Sequence, residues 1–265
     1  MVPEKLLKEN NLAEALASLK KEVAAEPSDA EKRWFLFQLF CFNGEYERAQ
    51  EQLKLAAQLD DSFQSASLVY LRVLASELFR EKVIVSGKET PLILGEPEEW
   101  VAKLFEANRM LGKSDLESAT RLRMEAYEMQ PVVSGKCNDV PFEWICDQDS
   151  RFAGNIECFL NGKYYWLSLS QVKELSLTVK TEKRSYIDLL YPKAKLVLRT
   201  EAELDVMLFT RYPGNYSTGS SELAMVRLTE WEDLNDYNIL GRGQRMFCAD
   251  SGDFPLLELS KLTFD

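Results

Sequence analysis

Apolar residues recur along the first half of the chain at helical spacing. Leu12, Ala15, Leu16, Leu19 and Val23 fall at i, i+3, i+4, i+7 and i+11, one face of a helix that Pro27 closes. A second helix is predicted over 29–42, with Asp29 as N-cap and Gly44 as the break after it. Tyr46, Ala49, Leu53 and Ala56 mark its partner, and a longer helix over 63–79 carries Leu68, Leu71, Val73, Leu74, Leu78 and Phe79. Residues 80–96 break the pattern: Val83-Ile84-Val85 reads as a short extended piece, and Gly87, Pro91, Gly95 and Pro97 punctuate the segment, so an irregular insertion is expected. Helical spacing resumes at Trp100, Leu104, Ala107 and Leu111, then at Leu116, Ala119, Leu122 and Ala126.

These helices repeat. Moved forward by 34 positions, Asn10-Asn11-Leu12-Ala13-Glu14-Ala15 falls on Gly44-Glu45-Tyr46-Glu47-Arg48-Ala49, Leu19 on Leu53 and Val23 on Ala57. Ala119 and Pro131 keep the interval of Ala49 and Asp61 and of Ala15 and Pro27, so the last hairpin reads as a diverged copy. The unit resembles the tetratricopeptide repeat, in which helical pairs stack around a concave surface that binds peptides. In that frame Glu31, Trp34, Gln38, Cys41 and Phe42 line the concave face, and the frame moved by 34 adds Ser65, Leu68, Arg72 and Ser76. An apolar strip with a few polar anchors suits one face of an amphipathic helix, although Trp34 and Phe42 could equally face a neighbouring domain that covers the groove.

After Pro131 the texture changes to strands. Gly154–Leu160, Asn161-Gly162 and Lys163–Leu169 form a hairpin signal, because Asn-Gly takes the positive φ angles of a type I′ turn. Leu175–Val179, Lys195–Arg199, Val206–Thr210, Leu223–Leu228, Gln244–Cys248 and Leu256–Leu259 are further strand candidates, and Tyr186–Tyr191 is a short helix or a turn. The expected class is α+β: a tetratricopeptide-like helical domain over 1–131 and a mainly β domain over 132–265, with a partly closed barrel as one form of it.

Composition narrows the chemistry. The chain has no histidine, which removes imidazole-based hydrolysis, histidine-ligated metal sites and histidine pH switching. A net charge of −11 is spread as −6 over 1–131 and −5 over the rest, so neither half offers a basic face to nucleic acid or to an anionic membrane. Cys41, Cys137, Cys146, Cys158 and Cys248 are odd in number and lack Cys-x-x-Cys spacing, which points to free thiols. The charged residues among Met1–Asn10 leave no apolar core for a secretory signal, and the run Trp34–Phe42 is far short of the roughly 20 residues that span a bilayer. A cytoplasmic protein without cofactor or metal is expected.

Three motifs in the second half invite chemistry, and each has a plainer reading. Asp147 and Asp149 at i, i+2 could grip a divalent ion, but a turn in which Asp149 pairs with Arg151 is favoured. Gly241-Arg242-Gly243-Gln244-Arg245 could cradle an anion, but a phosphate loop opens a helix whereas Met246-Phe247-Cys248 reads as a strand, so a glycine bend is favoured. Tyr164, Tyr165 and Trp166 could stack bases, yet alternation puts Tyr164 and Trp166 on one face, and core packing is favoured. A carboxylate-based enzyme using Asp147, Asp149, Asp188 or Glu230 remains a competing reading, as does a repeat-type chaperone for an unrelated client.

Taken in order, Asp147-Gln148-Asp149-Ser150-Arg151, Asn161-Gly162-Lys163-Tyr164-Tyr165-Trp166, Asp188-Leu189-Leu190-Tyr191-Pro192-Lys193-Ala194, Tyr212-Pro213-Gly214, Arg227-Leu228-Thr229-Glu230-Trp231, Gly241-Arg242-Gly243-Gln244-Arg245-Met246-Phe247 and Leu256-Leu257-Glu258-Leu259 resemble the ImpE/SciE (TagJ) family. The chain departs from that pattern at Leu208-Phe209-Thr210-Arg211, where Leu-Pro-Ala-Leu is usual, and at Tyr191, where tryptophan is common. The resemblance implies a non-enzymatic accessory protein of type VI secretion that binds a helical segment of the small contractile-sheath subunit. It also implies an indirect influence on the AAA+ ATPase that disassembles the sheath.

Overall fold

The computed structural model describes residues 2–96, 98–178, 185–214 and 220–265. The helical half comprises α1 (Pro3–Lys8), α2 (Leu12–Ala25), α3 (Ala30–Phe42), α4 (Tyr46–Leu59) and α5 (Gln64–Ile84), then, after β1 (Leu92–Ile93), α6 (Glu99–Gly112) and α7 (Leu116–Met129). Local chemistry fixes their ends. The side chains of Asn11, Asp29 and Asp115 accept the backbone N–H groups of Glu14, Lys32 and Ser118, each three residues into its helix. Such caps contribute about 1 kcal/mol apiece. Gly44, at φ 74°, turns the chain out of α3 while Glu45 N–H returns to the Phe40 carbonyl.

One expectation fails here. Val83-Ile84-Val85 is not extended: α5 continues through Ile84, and Val83 and Ile84 are buried in the core beneath it. The irregular segment is therefore shorter than 80–96. Its middle is β1, which pairs in parallel with β6, Leu92 opposite Tyr165 and Ile93 opposite Trp166. Pro97 lies outside the described residues.

The remaining elements are β2 (Gly135–Cys137), β3 (Val140–Phe142), β4 (Ile145–Asp147), β5 (Asn155–Leu160), β6 (Lys163–Ser168), β7 (Val172–Leu177), α8 (Ile187–Leu190), β8 (Lys193–Leu198), β9 (Glu203–Leu208), α9 (Ser221–Ala224), β10 (Thr229–Asn235), β11 (Asn238–Gly243), β12 (Met246–Ala249), β13 (Gly252–Pro255) and β14 (Lys261–Phe264). Among the described residues the largest sheet has nine strands in the order β1-β6-β5-β9-β8-β7-β14-β2-β3. It is open, not a closed barrel. A ribbon of β10 and β11 and a small sheet β13-β12-β4 flank it. Two predicted strands are something else: Leu223–Leu228 begins in α9, whose N-terminus the Ser220 hydroxyl caps, and Leu256–Leu259 is mostly a 3-10 turn. Val179, the end of another predicted strand, lies outside the described residues.

The β5–β6 hairpin decides how the halves meet. Asn161 (φ 50°) and Gly162 (φ 86°) make its two-residue turn as expected. Strand alternation then sends Phe159, Tyr164 and Trp166 into a core shared with the helices, and Ile156, Cys158, Leu160 and Leu167 into a second core within the β half. The first core runs from Leu6 in α1 to Val226 beyond α9, so it is built from both halves of the chain.

Candidate functional site

The predicted concave strip divides in two. Gln38, Cys41, Phe42 and Ser76 are buried. The Gln38 amide oxygen accepts the Ser185 hydroxyl at 2.7 Å and the Ile187 N–H at 3.1 Å, which holds the start of α8 against α3. Phe42 meets the Tyr186 ring edge-on at 6.5 Å, and burial pushes the Cys41 thiol well up. Trp34 is half-buried, stacked on Phe63 with centroids 5.0 Å apart and edge-on to Phe37 and Tyr70. Glu31, Ser65, Leu68 and Arg72 are exposed, Leu68 by 63%. Part of the strip thus packs against the chain's own second half, and part faces outward.

Where the halves meet, buried arginines and carboxylates interlock. Arg80, on α5, donates to both oxygens of Glu157 on β5, at 2.6 and 2.7 Å, to the Arg211 carbonyl at 2.8 Å and to Glu77 at 3.1 Å. Glu157 also accepts from Arg245 and from the Tyr164 hydroxyl, which in turn accepts the Trp166 indole N–H at 2.5 Å. Burial alone would raise the Glu157 carboxyl, but the two guanidinium groups outweigh it and hold it below the usual range. Arg245 donates further to Asp147, whose other oxygen takes the Tyr212 hydroxyl at 2.7 Å. Burial pushes Asp147 up to about 7, only partly offset by Arg245.

Arg211 makes a second joint. Its guanidinium donates to the carbonyls of Phe42 (2.6 Å) and Cys41 (2.8 Å), so a residue of the β half caps the C-terminus of α3, and it also reaches the Tyr46 hydroxyl (3.0 Å) and the Ala224 carbonyl (2.8 Å). Arg123, on α7, makes a third. It donates to Asn108 on α6 at 2.6 Å and to Asn238 on β11, while the Asn108 amide reaches the Arg151 carbonyl at 2.9 Å.

Of the carboxylates of the enzyme reading, Asp147 and Asp149 are neighbours, the Asp149 N–H donating to Asp147, but each is paired with a buried arginine. Asp149 is clamped by Arg151 (2.9 and 2.5 Å) and by the Gly241 N–H (2.8 Å), which is the expected turn pairing. Asp188 accepts the Ser185 N–H, and Glu230 stands exposed on β10. Among the described residues no group of three or more cysteine, aspartate or glutamate side chains is placed to hold a metal, and no helix is long and apolar enough to cross a membrane. Gly241-Arg242-Gly243 is not a bend but the end of β11, paired with Trp231, Glu230 and Thr229 of β10; the chain turns at Gly243, at φ 85°, and only Gln244-Arg245 links β11 to β12, while Tyr164 and Trp166 are buried core residues.

Residue-by-residue reading misses Arg80, Glu157, Arg211 and Arg123 as a set. The available signal was a charge at a core position: Arg80 follows Leu78-Phe79 on an apolar helix, and Glu157 sits between Ile156 and Cys158 in a buried strand. By contrast, three motifs singled out in sequence meet in one cluster, Asp147 to Arg151, Tyr212 to Gly214 and Gly241 to Arg245, with Arg151 reaching the carbonyls of Pro213 and Gly241.

A short array of helical hairpins, its inner face closed by a mixed sheet through buried arginine–carboxylate pairs, defines the class of the molecule: a helical-repeat protein fused to a β domain. Residues 139–263 match the model of the family described as ImpE protein. The chain is 35% identical over 265 residues to the type VI secretion system accessory component TagJ of Pseudomonas aeruginosa, covering 100% of this chain and 92% of that protein. It therefore belongs to the ImpE family. The crystal structure of a Vibrio parahaemolyticus protein superposes with a TM-score of 0.89 over 99% of this chain and 97% of that one, at 24% identity, and shares its fold.

Proposed function

We propose that this protein is a non-enzymatic accessory component of a type VI secretion system that docks a helical segment of the small sheath subunit, and through it influences handling of the sheath by the AAA+ ATPase. The full-length likeness to a relative named as such an accessory component carries this reading. The fate of the carboxylates supports its non-enzymatic part, since Asp147, Asp149 and Glu157 are all paired with buried arginines, Glu157 with Arg80 of the helical half among them. The members of the candidate strip that stay exposed, Glu31 on α3 and Ser65, Leu68 and Arg72 on α5, with the half-buried Trp34 on α3, form the proposed docking face. Leu68 and Arg72 lie four residues apart on one helix face, an apolar contact beside a cationic anchor.

The test is calorimetry with a synthetic N-terminal helix of the small sheath subunit. Apolar burial should give a negative heat-capacity change, and Leu68→Asp should weaken binding by about 2 kcal/mol, roughly thirtyfold, without altering the fold. Absence of binding by peptide and intact subunit alike would remove the sheath partner. Undiminished affinity in Leu68→Asp would move the docking face elsewhere.

A further inference from the structure

The small sheet β13-β12-β4 carries a feature that the helical array does not use. Its β4 and β12 run antiparallel with Cys146 directly opposite Cys248, and the two sulfurs lie 3.5 Å apart. Residues opposed in this way have Cα atoms about 4.5–5.5 Å apart, inside the range that a disulfide bridges without backbone movement. Both thiols are half-buried and line a groove of about 410 Å³ with Tyr127, Pro131, Trp144 and Tyr237. Trp144, Tyr237 and Tyr127 are 42%, 37% and 36% exposed, so the groove opens to solvent. Cys41, Cys137 and Cys158 are fully buried.

We propose that Cys146 and Cys248 form a reversible thiol–disulfide site whose co-reactant is a low-molecular-weight disulfide of the glutathione-disulfide type. The Cys248 sulfur attacks one sulfur of the co-reactant; that S–S bond breaks, one thiolate leaves, and a mixed disulfide remains in the groove. The Cys146 sulfur then attacks Cys248, forms the cross-strand bond and expels the second thiolate. The two protein thiol protons end on the two leaving thiols, so the protein loses two electrons and the co-reactant gains them. Polarity within the pair agrees with these roles. The two sulfurs lie within hydrogen-bonding distance of each other, and that contact holds the Cys248 thiol below its usual range while raising that of Cys146.

The bridge would lie one residue from Asp147 on β4 and three from Arg245, the two residues paired in the buried cluster. It would therefore fasten the groove floor to the centre of the molecule.

The experiment uses the full-length chain. Reduced protein is equilibrated with graded ratios of oxidised to reduced glutathione, quenched in acid, unfolded, alkylated and weighed intact, then digested to locate any bridged peptide. The wild type should pass from five alkylated thiols to three, carry no glutathione, yield a Cys146–Cys248 peptide and revert on adding reduced glutathione. Loss of this pair should be at least about tenfold faster than any reaction of the three buried cysteines. Cys146→Ser should instead retain glutathione on Cys248. Five free thiols at every ratio, a stable glutathione adduct on the wild type, or a bridge between any other cysteines would overturn the proposal. Peptide mapping of the wild type decides even if a serine variant folds poorly.

Discussion

Glu157→Gln tests whether the arginine–carboxylate cluster holds the helical half to the sheet. Glu157 is 1% exposed and accepts from Arg80 through two bonds, from Arg245 and from Tyr164. Glutamine keeps the shape but removes the charge that two buried guanidinium groups share, and turns an amide donor toward one of them. Removing one partner of a buried ion pair costs about 3–5 kcal/mol, because the remaining charge is left uncompensated. For a protein of this size each kcal/mol moves the melting temperature by about 2–4 °C, so a fall of roughly 6–20 °C is expected. Thermal and urea unfolding followed by tryptophan fluorescence reads it, since Trp166 is fully buried and bonded through Tyr164 to Glu157.

A double-variant cycle sharpens the test. Arg80→Met with Glu157→Leu removes both members of the pair and leaves Arg245 its bond to Asp147. The combined loss should fall short of the sum of the single losses by about 1–3 kcal/mol. A melting temperature for Glu157→Gln within about 2 °C of wild type, or additivity within about 0.5 kcal/mol, would show that the cluster contributes little to joining the halves.

Gly241→Ala should destabilise by about 1–3 kcal/mol, because the added methyl would meet the Tyr212 ring at 2.3 Å and Trp231 at 2.9 Å; an unchanged urea midpoint would refute that packing. Asp147, pushed up to about 7, binds a proton in the folded protein that the unfolded chain binds only near its ordinary 3.8, so its contribution to stability is present below about pH 4 and lost as pH rises to 7. Wild-type stability should therefore gain on that of Asp147→Asn by up to about 1 kcal/mol per unit as pH falls from 7 towards 4, and a flat difference would refute the assignment.

The helices were legible because their apolar face repeats with the period of the element and, for α3, the cap Asp29 precedes it. Val83-Ile84-Val85 misled because three β-branched residues favour strand locally, whereas α5 keeps its helical path for as long as Val83 and Ile84 have a core to enter. The ribbon β10–β11 was missed for the opposite reason: Thr229–Asn235 has no buried residue, so it carries no apolar alternation to read. The cluster was invisible as a cluster because Arg80 and Glu157 are 77 residues apart, and a single sequence does not reveal which buried charge answers which.

The strip on α3 shows how far a repeat frame reaches. Periodicity places Gln38, Cys41 and Phe42 on the inward face of α3, where they are buried, but it is silent on what they pack against. Here that is the chain itself. Gln38 holds the first turn of α8, Tyr186 stacks on Phe35 at 5.6 Å and meets Phe42 edge-on, and Arg211 takes the carbonyls at the end of α3. A partner helix inserted at those positions would have to displace α8 and strip a buried guanidinium of its acceptors, and a buried charge left unpaired costs several kcal/mol. Leu68 and Arg72 are exposed, so a helix laid against them would leave α8 and the Arg211 acceptors in place. That difference is why the proposed docking face is the outward part of the strip, and why Leu68→Asp, rather than a change at Gln38 or Phe42, would separate loss of binding from loss of fold.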